Sequence, residues 1–133
     1  MGRYIVLTND NSELLTVNQQ FYEAFGSLDI ELMDTIWTHD ADVFCIHPGW
    51  EPLITWDSIH SSWTNIFANS TLMMFNIEIL KIIKHSDIGV IICKENVSSL
   101  INGRATNFSV VAVNTYKLSF ENWKLTSHHG SPV

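Results

Sequence analysis

The chain is poor in charge, in cysteine and in long apolar runs. Only 16% of its 133 residues are charged, whereas 46% are aliphatic or aromatic and are spread over the whole length. The two cysteines, Cys45 and Cys93, lie within apolar runs, which is typical of reduced core thiols rather than of a disulfide framework. The apolar runs fall far short of the roughly 20 residues that a spanning helix needs, and no secretory leader is evident. We therefore expect no membrane span, a cytoplasmic location and a single domain over residues 1–133.

Basic residues are also scarce, above all in the first half of the chain. The formal net charge is −7: residues 1–70 hold one basic residue against ten acidic ones, and residues 71–133 hold six against four. Because an acidic surface repels phosphate groups, this distribution argues against nucleic-acid partners. No phosphate-binding loop, dinucleotide fingerprint or nucleophile elbow occurs. We therefore expect neither a nucleotide cofactor nor covalent acyl chemistry.

The spacing of apolar residues predicts three helices in the first half. Residues 12–26 carry apolar side chains at three-and-four spacing, with Gly26 as a left-handed stop. Asp29 can cap a second, shorter helix that runs through Trp37. Helical periodicity ends at Asn69, after the third helix. Thr55 can cap a third helix, whose stripe comprises Trp56, Ile59, His60, Trp63, Ile66 and Phe67.

The second half of the chain is strand-like. Alternation along “LMMFNIEILKIIK” slips phase at Leu80, which predicts a β-bulge in a long bent strand. Asn102-Gly103 is the favoured two-residue hairpin turn, and turns at residues 85–89 and 119–122 complete a four-strand antiparallel meander. With the earlier run “VFCI” as a further strand, the chain is predicted to be α+β, with one curved sheet wrapped on helices.

The stretch “DVFCIHPGWEPL” is an apolar strand that stops between an imidazole and an indole. Pro48-Gly49 breaks the strand, with His47 before the break and Trp50 after it. Trp50 is one of three indoles within fourteen residues, the others being Trp56 and Trp63. Each indole buries about 150 to 250 Å², so three of them do not stay in water. They either fill the core or line a cavity, and the sequence leaves both possibilities open.

Three segments resemble a known family, the nuclear-transport-factor-2-like (NTF2-like) superfamily, in its SnoaL-like branch related to ketosteroid isomerase. The segments are “FYEAFGSLDIELMDTIWTHDADVFCIHPGW”, “SIHSSWTNIF” and the closing “WKLTSHHGSP”. The resemblance covers about residues 12–132. It implies a cone-shaped, cystatin-like fold, in which three helices close over the concave face of a bent sheet and leave a pocket. It also implies that the outer sheet face is available for dimerisation.

The same resemblance implies where ligand-contacting side chains lie. His47 and Trp50 would sit at the rim of the cone, near the start of the third helix. Tyr22, Trp56 and Trp63 are further candidate ligand contacts. For each of these three aromatic residues, a core position with no ligand contact is the alternative.

The paired histidines near the end of the chain are candidates for chemistry. Adjacent strand residues point to opposite faces, so at most one of His128 and His129 enters a pocket. His129 shares its parity with Trp123 and Leu125, and we predict that His129 faces the pocket and acts with His47 as a proton-transfer residue. No third ligand at a metal-binding spacing accompanies this pair, so no metal site is predicted.

The carboxylates used by the related steroid isomerases are missing here. Their general-base aspartate falls on Cys45 or His47, and their first oxyanion-hole tyrosine falls on Phe21. Residues 96–120, where their protonated acid belongs, contain no Asp or Glu. Steroid-type isomerisation by that set of residues is therefore disfavoured. Glu95 is the one carboxylate that we consider for the pocket, as a ligand contact, with an outward pairing to a lysine as the alternative.

Two function classes remain open. The first is a small enzyme of isomerase, lyase or hydratase type, without a cofactor, that moves protons on a mostly apolar metabolite. The second is a non-catalytic ligand-binding or dimeric assembly domain, and fold analogy does not choose between them. The meander carries apolar residues on both faces, such as Val110 beside Val111 and Ile91 beside Ile92. Because a cone interior covers one face only, we predict a homodimer through the outer face.

Overall fold

A computed structural model of the chain describes residues 11–133, so the first ten residues of the predicted domain 1–133 lie outside the described part. The elements are α1 (Ser12–Ser27), α2 (Ile30–Ile36), β1 (Phe44–Ile46), α3 (Trp56–Ala68), β2 (Ser70–His85), β3 (Ile88–Ile101), β4 (Arg104–Ser119) and β5 (Asn122–Pro132). The strands form one sheet in the order β1-β5-β4-β3-β2, antiparallel except for β1 beside β5. The α+β class and the curved sheet under three helices are confirmed.

Two of the helices begin at the predicted caps. The Asp29 carboxylate accepts hydrogen bonds from the backbone N–H groups of Glu31 and Leu32 at the start of α2. Thr55 and Ser58 form a reciprocal capping box at the start of α3. Both arrangements satisfy N–H groups that a helix cannot pair internally.

The end of α1 differs from the prediction at Gly26. The helix continues to Ser27, and the left-handed residue is Leu28, with φ 58°. Gly26 lies instead where α1 crosses β2, since a Cβ there would be 3.2 Å from the carbonyl oxygen of Met73. The absence of a side chain at this position therefore permits close packing of helix on sheet rather than a turn.

The turns and bulges of the sheet set which way its side chains point. The pairing of β2 with β3 shifts between Ile79 and Lys81, which confirms the bulge predicted at Leu80. Asn102 and Gly103 have φ of 51° and 79°, as a two-residue hairpin turn requires, and that prediction is also confirmed. An additional bulge, which the sequence analysis did not predict, lies in β5.

The core fills the space between the helices and the inner face of the sheet. We call this face, which carries Glu95 and Asn114, the concave face, and the opposite one, which carries Lys94 and Val113, the convex face. Trp63 of α3 is completely buried at the centre of the core, where its ring packs against aromatic rings of α1. Within residues 11–133, no helix is long and apolar enough to cross a membrane.

Candidate functional site

A cleft opens between the concave face, the end of α3 and the turn that follows β1. Its volume is about 300 Å³, at the lower end of the range for small-molecule sites. Three polar side chains, His47, Glu95 and His128, face an otherwise apolar lining. The other lining residues are Phe25, Pro48, Trp50, Ile66, Met73, Phe75, Val97, Ile101, Phe108 and Val110.

The turn at Pro48-Gly49 places an imidazole inside the cleft and an indole at its mouth. The backbone N–H of Trp50 donates to the His47 carbonyl oxygen at 2.8 Å, and Gly49 has the positive φ of 83° that this turn needs. His47 is 3% exposed and Trp50 is 45% exposed. Gly130 of β5 leaves room for the turn, since a Cβ there would be 3.1 Å from Pro48 Cγ. The prolyl ring therefore packs directly on the sheet.

His47 is held by a hydrogen bond to α3. Its Nε2 lies 2.9 Å from the Oγ atom of Ser62, and that hydroxyl donates its own proton to the carbonyl oxygen of Ile59 at 2.7 Å. The hydroxyl oxygen therefore accepts from His47, and Nε2 carries the proton. Burial lowers the pKa of His47 to about 4, so the ring is neutral near pH 7.

His128 is held by a hydrogen bond within the sheet. Its Nδ1 lies 2.6 Å from Asn114 Oδ1, between adjacent strands β5 and β4. Burial, followed by the nearby imidazoles of His47 and His129, lowers the pKa of His128 to about 3. The ring centroids of His47 and His128 are 6.4 Å apart. The cleft thus contains two neutral imidazoles in each other's vicinity.

Asn114 connects the histidine to a buried network on α1. Its Nδ2 donates to Asn18 Oδ1 at 3.0 Å and to the Tyr22 hydroxyl at 3.1 Å. Tyr116 donates its hydroxyl proton to the same Asn18 oxygen at 2.7 Å, which identifies that atom as the acceptor. The Asn114 amide is oriented accordingly, with Nδ2 toward α1 and Oδ1 toward His128.

Glu95 completes the polar set on the concave face. It is buried, and its Oε2 accepts a hydrogen bond of 2.6 Å from the Tyr22 hydroxyl. Burial raises the pKa of Glu95 to about 7, although the hydrogen bond from Tyr22 opposes the rise. The carboxyl group therefore exchanges a proton readily near neutral pH, which is the property of a general acid or base.

The family follows from comparison with known proteins. The profile of the SnoaL-like domain matches residues 14–133, nearly the whole chain. The chain belongs to the SnoaL-like domain family. A candidate dehydratase of the NTF2-like family from Streptomyces avermitilis is 31% identical to this SnoaL-like protein. That alignment covers 93% of this chain and 96% of the other, with a TM-score of 0.87.

Other solved structures share the fold of this SnoaL-like protein. A candidate calcium/calmodulin-dependent protein kinase type II association domain from Thiobacillus denitrificans is 25% identical over 88% of this chain and 92% of the other, with a TM-score of 0.79. A ketosteroid isomerase-like protein from Erwinia carotovora atroseptica is 15% identical over 94% and 98%, with a TM-score of 0.82. No curated protein matches the chain.

The prediction that His129 faces the pocket is wrong. His129 is exposed on the convex face, and His128 is the buried one. The cause is the bulge in β5: Ser127 pairs with Thr115 and Leu125 pairs with Tyr116, which leaves one extra residue in β5. An extra residue reverses the alternation of faces, so the parity of Leu125 no longer applies beyond it.

Of the three predicted indoles, Trp50 alone lines the cleft. Trp63 lies behind both histidines as part of the core, with ring centroids 4.8 Å from His47 and 6.2 Å from His128. Trp56 begins α3, two turns or about 10 Å away along the helix axis, and stacks on His39 at 4.0 Å. Trp56 therefore does not line this cleft, and Trp63 supports the cleft from behind.

Tyr22 and Glu95 are hydrogen-bonded to each other, but Glu95 lines the cleft and Tyr22 does not. Glu95 faces the interior, and the outward pairing with a lysine is not observed. Tyr22 lines a separate groove of about 410 Å³ between α1 and β2, which contains no histidine, and its hydroxyl reaches through to Glu95. Tyr22 thus affects the cleft through Glu95.

Asn114 is a site residue that was not predicted from the sequence. It interrupts the apolar run “VVAVNTYKL” at the parity of Ala112 and Tyr116, both of which are buried. A polar residue at the inward parity of an apolar strand is costly unless it is hydrogen-bonded, and this signal could have identified it.

Among residues 11–133, no group of three or more potential ligand side chains is close enough to hold a metal ion.

Proposed function

We propose that this SnoaL-like protein binds a small, mostly apolar metabolite in the cleft and moves protons on it. The reaction would be of isomerase, lyase or hydratase type. The observation that carries the proposal is the convergence of Glu95 and two neutral imidazoles on one apolar cleft. A pocket that combines an apolar lining, a few convergent polar groups and a perturbed carboxyl group is typical of acid–base catalysis.

Glu95 is the group best suited to transfer the proton. Proton transfer is most efficient when the pKa of the catalytic group lies near the working pH, and the pKa of Glu95 is about 7. The pKa values of His47 and His128 are about 4 and 3. These two rings are weak bases near neutral pH, and we assign to them the orientation of polar groups on the ligand by hydrogen bonds.

Similarity to the candidate dehydratase from Streptomyces avermitilis supports the lyase or hydratase variant. Elimination of water from a hydroxy ketone requires removal of a proton beside the carbonyl group and protonation of the leaving hydroxyl. A carboxyl group that both loses and regains its proton near neutral pH fits both steps. The non-catalytic alternative uses the same cleft for binding only.

Hydrogen–deuterium exchange tests the proposal without knowledge of the substrate. A panel of one- and two-ring ketones and hydroxy ketones is first screened for an increase in Tm. Those that bind are incubated with the protein in deuterium oxide, and deuterium beside the carbonyl is measured by mass spectrometry. We expect exchange above the buffer rate, reduced at least about a hundredfold by Glu95→Gln.

Glu78→Gln is the matched control for this experiment. Glu78 is an exposed carboxylate on β2, away from the cleft, and the variant should keep the wild-type exchange rate. Ligands that raise Tm but show no exchange above buffer in the wild-type protein would favour the non-catalytic alternative. Equal exchange by wild type and Glu95→Gln would remove Glu95 from the mechanism.

We also propose that two copies pair through the convex face in a cytoplasmic environment. A row of Ile92, Val113, His129 and Ile46 crosses four neighbouring strands on this face. Phe44 and Val113 are 40% and 37% exposed, so apolar area remains open there. Such area is typical of protein contact surfaces. The two buried free thiols are consistent with a reducing compartment.

A further inference from the structure

At each of the two cleft histidines, one ring nitrogen is left as a hydrogen-bond acceptor. At His47 the Nε2 proton is committed to Ser62, so Nδ1 carries the lone pair. Cys45 Sγ lies 4.0 Å from Nδ1 and 3.7 Å from Nε2. The thiol thus lies beside the ring, and a thiol is a weak donor.

His128 has the opposite tautomer, and it too keeps one ring nitrogen as a hydrogen-bond acceptor. The chain of donors from Tyr116 to Asn18 and from Asn114 to Asn18 leaves Asn114 Oδ1 as an acceptor. His128 Nδ1 must therefore donate to it, and the lone pair is on Nε2. Within residues 11–133, Nε2 has no hydrogen-bond partner, although the ring lines the cleft.

Apart from the Glu95 carboxyl group, the lining supplies acceptors but hardly any donors. Among the described residues no Lys or Arg side chain lines the cleft, and the one indole N–H belongs to Trp50 at the exposed mouth. Glu95 adds a carboxyl group whose Oε2 already accepts from Tyr22. An anionic ligand would find no cation here and would approach a carboxylate. A ligand with hydroxyl groups would pair with both imidazoles.

We propose that the cleft recognises an uncharged compound bearing two hydroxyl groups, one donating to His47 Nδ1 and the other to His128 Nε2. This inference rests on the cleft of the proposed function and specifies its ligand class. A volume of about 300 Å³ corresponds to about ten water molecules, which suits a single substituted ring. A dihydroxybenzene is the simplest molecule of this class.

The tautomers can be measured without any ligand. Long-range ¹H–¹⁵N correlation spectra of the labelled protein at neutral pH distinguish a protonated from an unprotonated ring nitrogen. We expect His128 to carry its proton on Nδ1 and His47 on Nε2. The opposite tautomer in either ring, with its donor toward the cleft, overturns the proposal.

Binding of matched probes tests the ligand class directly. Resorcinol, 1,3-dimethoxybenzene and benzoate share one ring but differ in donors and charge, and their Kd values are compared by calorimetry at millimolar concentrations. We expect resorcinol to bind at least about tenfold more tightly than its dimethyl ether, and benzoate to bind most weakly. Equal binding of resorcinol and its ether, tighter binding of benzoate, or no binding of resorcinol overturns the proposal.

His128→Phe locates the effect, with His129→Phe as the control. The first variant keeps an aromatic ring but removes the acceptor. The ratio of the Kd values of the ether and resorcinol should therefore fall, because only the contact with His47 Nδ1 remains. The second changes an exposed ring on the convex face and should keep the wild-type preference. The proposed catalysis fails separately, if Glu95→Gln leaves deuterium exchange unchanged while the preference for resorcinol persists.

Discussion

The two faces of the sheet are built from neighbouring residues but differ in the burial and hydrogen bonding of their polar side chains. On the concave face the polar side chains of Glu95, Asn114 and His128 are buried and linked by hydrogen bonds, whereas His129 on the convex face is exposed beside apolar residues. The difference separates residues that are adjacent in sequence: Lys94 from Glu95, Val113 from Asn114, and His129 from His128.

The concave face shows how burial creates chemistry. Glu95 is a carboxyl group with an ordinary pKa of 4.5, and removal from water raises that pKa to about 7. Asn114 has no titratable group, yet it determines which nitrogen of His128 faces the cleft. The reactivity of the site therefore depends on the face that each residue occupies as well as on residue type.

The largest expected difference between the faces concerns Asn114. Asn114→Leu removes the acceptor for the buried His128 Nδ1 and one partner each of Asn18 and Tyr22, so the free energy of unfolding should fall by about 4 kcal/mol. Thr115→Val, one residue away on the convex face, should change it by less than about 0.5 kcal/mol. Urea denaturation measures both, and a loss below about 1 kcal/mol for Asn114→Leu would contradict the network.

The second prediction concerns the pH dependence of Glu95. Since its pKa rises from 4.5 to about 7 on folding, the folded protein binds more proton between these values, and its stability falls as pH rises through them. Glu95→Gln removes this loss. The stability of the variant relative to wild type should increase by about 3 kcal/mol from about pH 4.5 to about pH 8.

Urea denaturation at the two pH values gives this difference. The cleft histidines titrate in both proteins, so their contributions cancel in the comparison. A difference between variant and wild type that stays constant with pH would mean that the Glu95 carboxyl group is not desolvated as the concave face implies.

The third prediction compares adjacent histidines. His128→Ala leaves a cavity and an unpaired Asn114 Oδ1, and should lower the free energy of unfolding by about 2 kcal/mol. His129→Ala removes an exposed ring and should cost less than about 0.5 kcal/mol. The measurement requires a protein concentration at which both variants have the same mass by light scattering. Equal losses would show that the bulge in β5 does not separate the two side chains.

The smallest expected effect on the fold comes from the convex face itself. Val113→Lys places a charge on the proposed contact surface, where the isolated chain should lose less than about 0.5 kcal/mol. Assembly should change much more: wild type is expected at twice the chain mass of 15.2 kDa by light scattering, and the variant at the single mass. A wild-type protein with the single mass would refute the dimer, while the affinity of the cleft for resorcinol should be the same in both.

Local interactions explain the features that could be read from the sequence. The Asp29 and Thr55 caps, the Asn102-Gly103 turn and the bulge at Leu80 each depend on a few neighbouring residues. The position of His47 before Pro48-Gly49 belongs to the same class. Such features have the same physical cause in a short peptide segment as in the folded chain.

Pairing between strands that are distant in sequence decided which side chains face the cleft. One extra residue in β5 relative to β4 exchanged the roles of His128 and His129, and strand pairing brought Asn114 beside the former. The sequence by itself determined the α+β order and the break after β1, because capping, turn formation and periodicity act over a few residues. The tertiary structure alone decided which side chains meet in the cleft, because a register shift of one residue moves a side chain to the opposite face of the sheet.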